Sequence, residues 1–200
     1  MILLFVFLLA VVVGFLRGGS LSNLQSLALR GYGIVLAAFA IQIVLIYVPL
    51  PNLGNNLLRV LLLLVSYAMV AMFLVLNRQV PGMWLFAIGF VANWSVILAN
   101  GGYMPITHEA LTAAGLGHAA ANATPGTLVF GSKDVILPFA DTRLGWLSDI
   151  VVLPPPFPIP SVFSIGDVLI GFGIFWLVPG ALGSRMLAPV RTHVTKEASS

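Results

Sequence analysis

The sequence predicts an all-α integral membrane protein with five transmembrane helices and one long extracytoplasmic loop, which contains a short helix and a β-hairpin. Two observations predict this fold class. Sixty per cent of the 200 residues are hydrophobic and only 8 per cent are charged, whereas ordinary soluble domains carry roughly 25 per cent charged residues. Five apolar segments also come near the roughly 20 residues that a helix needs to cross a bilayer. We therefore expect a single membrane domain.

The five predicted spans cover residues 1–16, 33–50, 57–76, 82–99 and 164–182. The first segment has neither a basic start nor a small-residue cleavage site before Arg17, so it is predicted to be a retained helix and not a signal peptide. Leucines near helical spacing in residues 18–32 predict a short interfacial helix between the first two spans.

The basic residues predict the orientation. If the five spans alternate, one side receives Arg17, Arg30, Arg78, Arg185, Arg191 and Lys196, and the other receives Arg59, Lys133 and Arg143. Because short cytoplasmic segments carry the excess of Lys and Arg, we expect the N-terminus outside and the tail, residues 183–200, in the cytoplasm. Residues 101–163 then form the extracytoplasmic loop.

Three features are predicted within this loop. Residues 107–121 form a weak helix that Thr107 caps. Residues 127–139 form a hairpin around Gly-Ser-Lys-Asp. The proline-rich run at residues 154–160 is extended, and with residues 150–153 it forms a re-entrant loop that returns the chain to the membrane surface.

Composition and polar residues limit the chemistry. The chain has no cysteine, which excludes disulfides and thiolate sites, and its three histidines lack ligand spacing, so no metal or cofactor is predicted. The few basic residues belong to membrane edges and not to a nucleic-acid surface. Gln42 and Asn93 lie within spans and are predicted to hydrogen-bond between helices. Asn100 is predicted to cap the fourth span or to form its exit turn.

The sequence supports two interpretations of the role of Asp167. Ser164 is a plausible N-cap of the fifth span, which places Asp167 at the third helical position and predicts a capping box. An ionisable group entering the membrane is also a candidate functional site, and its best partner is Asp149. If the loop between them brings these carboxylates together, one holds a proton while the other activates water.

One resemblance covers nearly the whole chain. The segments that carry it are GGSLSNLQSLALRG, ANGGYMPI, TRLGWLSDIVVLP and FSIGDVLIGFGI. They resemble an uncharacterised bacterial multipass family, the domain-of-unknown-function family 5317. This resemblance implies a protein of the bacterial inner membrane and brings no activity with it.

A second resemblance covers only residues 143–174, LSDIVVLPPPFPIPSVFSIGDVLIGFGI and the residues just before it. This region is similar to the catalytic region of lipoprotein signal peptidase (signal peptidase II), a membrane aspartyl endopeptidase. The resemblance implies that Asp149 and Asp167 are the two catalytic aspartates and that Asn100-Gly101-Gly102 supports the active site.

Departures from the signal peptidase II pattern weaken the second resemblance. Ser164 stands where that family has Asn, and Gly166 where it has Ala. Asp141-Thr142-Arg143 is at most a fragment of the family's Gly-Asn-x-x-Asp-Arg box, and five spans are predicted where the family has four.

Three functions therefore stay open. In the first, the protein is an aspartyl peptidase at the outer membrane surface, in which Asp149 and Asp167 act on a membrane-anchored polypeptide while Asn100 and Arg143 position substrate or loop. In the second, it is a non-catalytic subunit or scaffold that binds other membrane subunits, with its outer loop pinned by ion pairs and helix caps. In the third, it carries a small molecule or protons.

Overall fold

The computed structural model describes residues 2–26, 29–47, 57–121, 123–129 and 132–183. The described helices are α1 (Ile2–Leu16), α2 (Tyr32–Tyr47), α3 (Leu57–Leu76), α4 (Met83–Ala99), α5 (His108–Ala113) and α6 (Ile165–Ala181). The described strands are β1 (Met104–Ile106), β2 (Asp134–Ile136), β3 (Val151–Leu153) and β4 (Ser161–Phe163). The five long helices lie where the apolar segments predicted them, while residues 1 and 48–50 and the tail from 184 lie outside the described residues.

The lengths of these helices separate α3 from the others. By length and composition, α3 is the one helix in the described part of the chain that is long and apolar enough to cross a membrane. The apolar helices α1, α2, α4 and α6 have 15, 16, 17 and 17 residues. All five expose large apolar side chains, among them Leu8, Leu36, Leu61, Trp84 and Phe172. Length and composition thus support one spanning helix, and five spans go beyond them.

Glycines set the contact between α4 and α6. A Cβ on Gly89 would collide with the carbonyl oxygen of Gly166, and a Cβ on Gly173 would lie 3.0 Å from the backbone nitrogen of Phe86. Small residues let helix backbones approach this closely. Since Gly166 meets the later part of α4 and Gly173 the earlier part, the two helices run antiparallel.

Contacts between the other long helices give their relative directions. On α2 and α3, Gln42 Nε2 donates to Ser66 Oγ at 3.4 Å, which confirms an interhelical role for Gln42, and the Arg59 guanidinium donates to the Leu45 carbonyl at 2.9 Å. These two pairs show that α2 and α3 are antiparallel. On α1 and α6, a Cβ on Gly171 would meet Val6 and one on Gly14 would meet Pro179, so these helices are parallel.

The start of the long loop is built on β1. This strand pairs in parallel with β2, and Asp149 forms a parallel bridge to Ile106. The predicted hairpin at residues 127–139 is present in reduced form: Leu128 bridges Val135 antiparallel, and the Val129 N–H donates to the Asp134 carbonyl at 3.0 Å. Residues 130 and 131, in its predicted turn, lie outside the described residues.

Between β1 and β2, the predicted helix is shorter than expected. Thr107 Oγ1 accepts the Ala110 N–H at 3.1 Å, which confirms the predicted cap of α5. The α-helix ends at Ala113 because Gly115 takes a left-handed conformation with φ +74°. A short 3₁₀ turn, Gly117–Ala120, follows it. The predicted interfacial helix after α1 is likewise a 3₁₀ helix, Leu21–Ser26.

The proline-rich run connects β3 and β4, which form an antiparallel hairpin with Val151 opposite Phe163. The run turns where an extended segment was predicted: the Phe157 N–H donates to the Pro154 carbonyl at 3.2 Å. The Phe157 ring then packs edge-on against Phe5 of α1 at 5.6 Å. In place of a re-entrant loop, a hairpin returns the chain to the start of α6.

Candidate functional site at the loop end of the helices

Asp167 lies at the loop end, the end of the helices from which residues 101–163 leave. Its backbone N–H donates to Ser164 Oγ at 2.9 Å, and the Ser164 N–H donates to Asp167 Oδ2 at 3.2 Å. These two hydrogen bonds form the predicted capping box of α6. The carboxylate also faces the positive end of the helix dipole, which stabilises a negative charge there.

Asn93 of α4 completes the environment of Asp167. Its Nδ2 donates to Asp167 Oδ1 at 2.8 Å, and its Oδ1 accepts the Ser164 hydroxyl at 2.7 Å. Asn93 and Ser164 are both buried. Asn93 therefore hydrogen-bonds between helices as predicted, and both oxygens of Asp167 accept a hydrogen bond from this cap and its neighbour.

Asp149 has a different environment. It is only 4 % exposed, and its N–H donates to the Pro105 carbonyl at 3.2 Å beside β1. Its Oδ1 is buried and has no hydrogen-bond partner in the described part of the chain. Burial raises the pKa of Asp149 well above its ordinary value; the positive charge of Lys133 opposes this rise, and the charges of Asp134 and Asp167 add to it.

Lys133 is the cation among these acids. Burial alone would lower its pKa, but the negative charges of Asp149, Asp167 and Asp134 outweigh burial and raise the pKa above its ordinary value. The lysine therefore stays protonated. We call Lys133, Asp134, Asp149 and Asp167 the charge cluster.

Within the charge cluster, the charge of Asp167 adds to the raised pKa of Asp149, but no hydrogen bond joins the two carboxyl groups among the described residues. The structure thus brings the two predicted aspartates into one electrostatic environment without forming a shared-proton pair. No group of three or more His, Cys, Asp or Glu side chains in the described ranges is arranged to hold a metal ion.

Asn100 and Arg143 meet through backbone atoms. Asn100 Nδ2 donates to the Arg143 carbonyl at 2.8 Å, and the Arg143 N–H donates to Asn100 Oδ1 at 3.0 Å. Asn100 also ends α4, where the Gly102 N–H donates to the Ile97 carbonyl and Gly101 has φ +71°, a Schellman arrangement. The predicted helix-end role of Asn100 is confirmed, and the Arg143 side chain lies outside the charge cluster, exposed.

A second asparagine of this kind was missed by sequence reasoning. Asn77 follows α3 and is buried; its Nδ2 donates to the Arg30 carbonyl at 2.9 Å, and its Oδ1 accepts the Arg30 N–H at 2.8 Å. The signal was an asparagine directly after a long apolar helix. Asp134 was also missed as a member of the charge cluster, because the other two acids of the cluster, Asp149 and Asp167, come from distant segments.

Comparison with known proteins gives a family and no activity. The model of a family of unknown function, DUF5317, matches residues 26–179. A relative described as "Uncharacterized protein" from Thermotoga maritima is 30% identical over 173 residues, covering 85% of this chain and 86% of the relative. No solved structure matches. The resemblance to signal peptidase II stays a prediction, whereas the predicted family is confirmed: the chain belongs to the DUF5317 family of unknown function.

Proposed function

We propose that this protein is a five-span subunit or scaffold of the bacterial inner membrane, with its N-terminus outside and no catalytic activity of its own. Composition supports the membrane setting, since 8 per cent charged residues do not cover a soluble surface. The helix directions support it too: α2 and α3 are antiparallel, α4 and α6 are antiparallel, and α1 is parallel to α6, as five successive spans that reverse direction require. In this arrangement the long loop and the C-terminal end of α6 lie on opposite sides of the membrane.

The four shorter helices are shorter than the bilayer core is thick, and flanking residues and local thinning of the bilayer make up the difference. A 15-residue helix such as α1 spans about 23 Å, against a hydrocarbon core of about 30 Å. Flanking residues and local thinning of the bilayer accommodate such a mismatch at modest cost. Exposed aromatic residues stand at helix ends, namely Tyr32 and Tyr47 on α2 and Trp84 on α4, as expected at membrane interfaces.

The observation that carries the non-catalytic role is the hydrogen bonding of Asp167. One oxygen accepts from the Ser164 backbone and the other from Asn93. A carboxylate oxygen can accept two hydrogen bonds, so these contacts do not exclude water; they do give both oxygens a structural role, because one caps α6 and the other ties α6 to α4. In the proposed role, the charge cluster holds the loop on the helix ends, and the loop presents a surface to other subunits.

Purification from native membranes tests the proposal. We expect the tagged protein in mild detergent to carry at least one other membrane polypeptide in a fixed ratio, measured as a constant complex mass by light scattering. Asp167→Ala should release that partner by loosening the loop, and Asp141→Ala, at an exposed position outside the cluster, should keep it. A monomer from native membranes would contradict the proposal.

One observation favours the peptidase as a second candidate. Asp149 Oδ1 is buried and unpaired, and its raised pKa favours the protonated acid next to the charge of Asp167. Aspartyl proteases use such an unequal pair. In this candidate Asp149 holds the proton, Asp167 activates water, and Asn100 positions the loop through Arg143 above a membrane-anchored polypeptide.

A cleavage assay separates the two candidates. Wild-type protein in lipid is mixed with a membrane-anchored reporter peptide, next to Asp149→Asn and Asp167→Asn variants that are still folded at the assay temperature, as a cooperative thermal unfolding transition above it shows. Cleavage by the wild type that both variants lose would establish the peptidase and refute the scaffold. Equal cleavage by all three would exclude the dyad. The carrier has the weakest support, because the charge cluster lies at helix ends and in the loop, whereas carriers place ionisable groups within the spans.

A further inference from the structure

Residues 139–146 of the loop expose three large apolar side chains. Trp146 is 74% exposed, Leu144 49% and Phe139 43%. The Phe139 and Trp146 rings are in edge-to-face contact, with centroids 5.4 Å apart and planes at 79°. Such contacts normally form inside a core or an interface. We call these three side chains the aromatic patch.

The backbone is shaped to hold this patch at the surface. Leu144 has φ +54°, a left-handed conformation that residues with a Cβ seldom adopt. The next residue, Gly145, is buried, and a Cβ there would lie 2.8 Å from the Phe139 ring. A larger residue at position 145 would therefore push the Phe139 ring away from this turn. Backbone strain of this kind persists where the surrounding structure imposes it and often marks a functional segment.

The aromatic patch lies at the level of the helix ends. Asn100, directly after α4, holds the backbone of Arg143 by two hydrogen bonds. The 3₁₀ turn Gly145–Leu147 packs against both α4 and α6. The turns of these helices nearest the loop expose Leu98 and Ile165, so exposed apolar side chains extend along both helices up to the level of the patch.

We propose that Phe139, Leu144 and Trp146 insert into the boundary between lipid headgroups and acyl chains of the outer leaflet, and that the Arg143 guanidinium meets lipid phosphate. This rests on the proposed membrane function. Tryptophan favours that boundary because it has a large apolar ring and one polar N–H. Arginine likewise places its stem along apolar surface and its charge in the headgroup region.

Lipid fits the patch better than a protein partner does. Three side chains beside a basic residue form a protrusion far smaller than a standard protein interface, which buries roughly 800 Å² on each partner. Arg143 is exposed and has no acidic partner among the described residues, which leaves its charge available to an anionic phosphate. The inserted patch would fix the height of the loop above the bilayer.

Single-tryptophan variants test this insertion. Replacing Trp84, Trp94 and Trp176 by Phe leaves Trp146 as reporter; the Trp94 indole N–H has no hydrogen-bond partner among the described residues, so this change removes none. The matched control retains only Trp176, which is exposed about 17 Å along α6 from its first residue. Both are reconstituted into vesicles with lipids brominated near the headgroup end or near the methyl end of the acyl chain, and aqueous iodide is added separately.

We expect Trp146 to be quenched several-fold more by the shallow bromines than by the deep ones and to be shielded from iodide. Trp176 should be quenched more by the deep bromines than Trp146 is. If iodide quenches Trp146 while bromine quenches Trp176, the patch faces water and the insertion is wrong although the protein is in the membrane. If neither quencher reaches Trp146, a protein surface covers the patch, and the insertion is again wrong. If bromine quenches neither residue, the proposed membrane function fails as well.

Discussion

At the scale of single residues, Asp167 is a hydrogen-bond acceptor placed between two donors. The Ser164 N–H and the Asn93 amide each donate to one of its oxygens. If the Asn93 amide group were flipped, its oxygen would no longer accept the hydrogen bond from the Ser164 hydroxyl. The donors and acceptors of these three side chains therefore form a network with a single consistent assignment. Its role is to join the start of α6 to the middle of α4.

Asp167→Asn should destabilise the protein by about 1–3 kcal/mol, because the new amide N–H₂ must face either the Asn93 N–H₂ or the Ser164 N–H. Thermal unfolding in detergent measures the loss. The swapped variant Asn93→Asp with Asp167→Asn restores a matching donor and acceptor at each position and should recover part of the loss. Asp141→Asn, at an exposed position, serves as the control. An Asp167→Asn protein as stable as the wild type would show that the network contributes little.

Asp149 makes stability depend on pH. A carboxyl whose pKa rises on folding binds its proton more tightly in the folded protein, so its contribution to stability is complete below the ordinary value of 3.8 and is lost as pH rises through the folded pKa. Asp134 has a raised pKa as well and acts in the same direction. Acidic conditions should therefore stabilise the loop relative to neutral pH.

In the wild type, the melting temperature should fall as pH rises from about 4 to about 8, and Asp149→Asn should make that fall shallower because the amide does not titrate. Melting curves in one detergent over this range give the two slopes. The Asp141→Asn control should keep the wild-type slope. Parallel curves for wild type and Asp149→Asn would refute this role of Asp149.

At the scale of elements, glycines determine how closely α4 and α6 pack. Gly89→Ala should cost about 1–3 kcal/mol, because the added methyl meets backbone atoms of Gly166 and Ile170 that cannot move independently. Gly33→Ala in α2 is the matched control: nothing lies within 4 Å of its Cβ position, and alanine favours a helix over glycine by about 0.5–1 kcal/mol. Equal melting temperatures for the two variants would contradict the close contact.

Asn100, at the end of α4, holds the connecting segment around Arg143. Asn100→Ala removes both hydrogen bonds to the Arg143 backbone, which together contribute about 1–3 kcal/mol, so local opening there should increase roughly tenfold or more. The rate of trypsin cleavage after Arg143 measures this opening. Ser95→Ala, which removes only a hydrogen bond within α4, should leave the rate unchanged. An unchanged rate in Asn100→Ala would mean that other contacts hold the segment.

At the scale of the whole molecule, the five long helices could be predicted because each is a long apolar segment, and such side chains must be buried against other helices or against lipid. The capping box was predicted because its signal, Ser164 and Asp167 three residues apart, is local. The parallel pairing of β1 and β2 was not predicted, because each strand has three residues and its partner lies far along the chain. Whether Asp149 and Asp167 approach each other depends on that pairing and on the β3–β4 hairpin, which no local pattern specifies.

The same limit applies to the close contact of α4 with α6. Gly89 and Gly166 are ordinary glycines in the sequence, and only the helix directions place them face to face. Lys133 could be predicted as the one lysine of the loop, but its three acidic neighbours come from β2, from the segment before β3 and from α6. Charge clusters assembled from separate segments follow from topology and not from spacing.

The five-span topology is the central claim, and the absence of cysteine from the chain allows a direct test. Glu109→Cys lies at an exposed position of α5 in the loop, and Gln79→Cys is exposed after α3 at the opposite end of the helices. Each single-cysteine protein is expressed in bacteria and treated with a maleimide that does not cross membranes. We expect labelling of Glu109→Cys in intact cells and of Gln79→Cys only after permeabilisation. The reverse pattern, or equal labelling of both in intact cells, would contradict this topology.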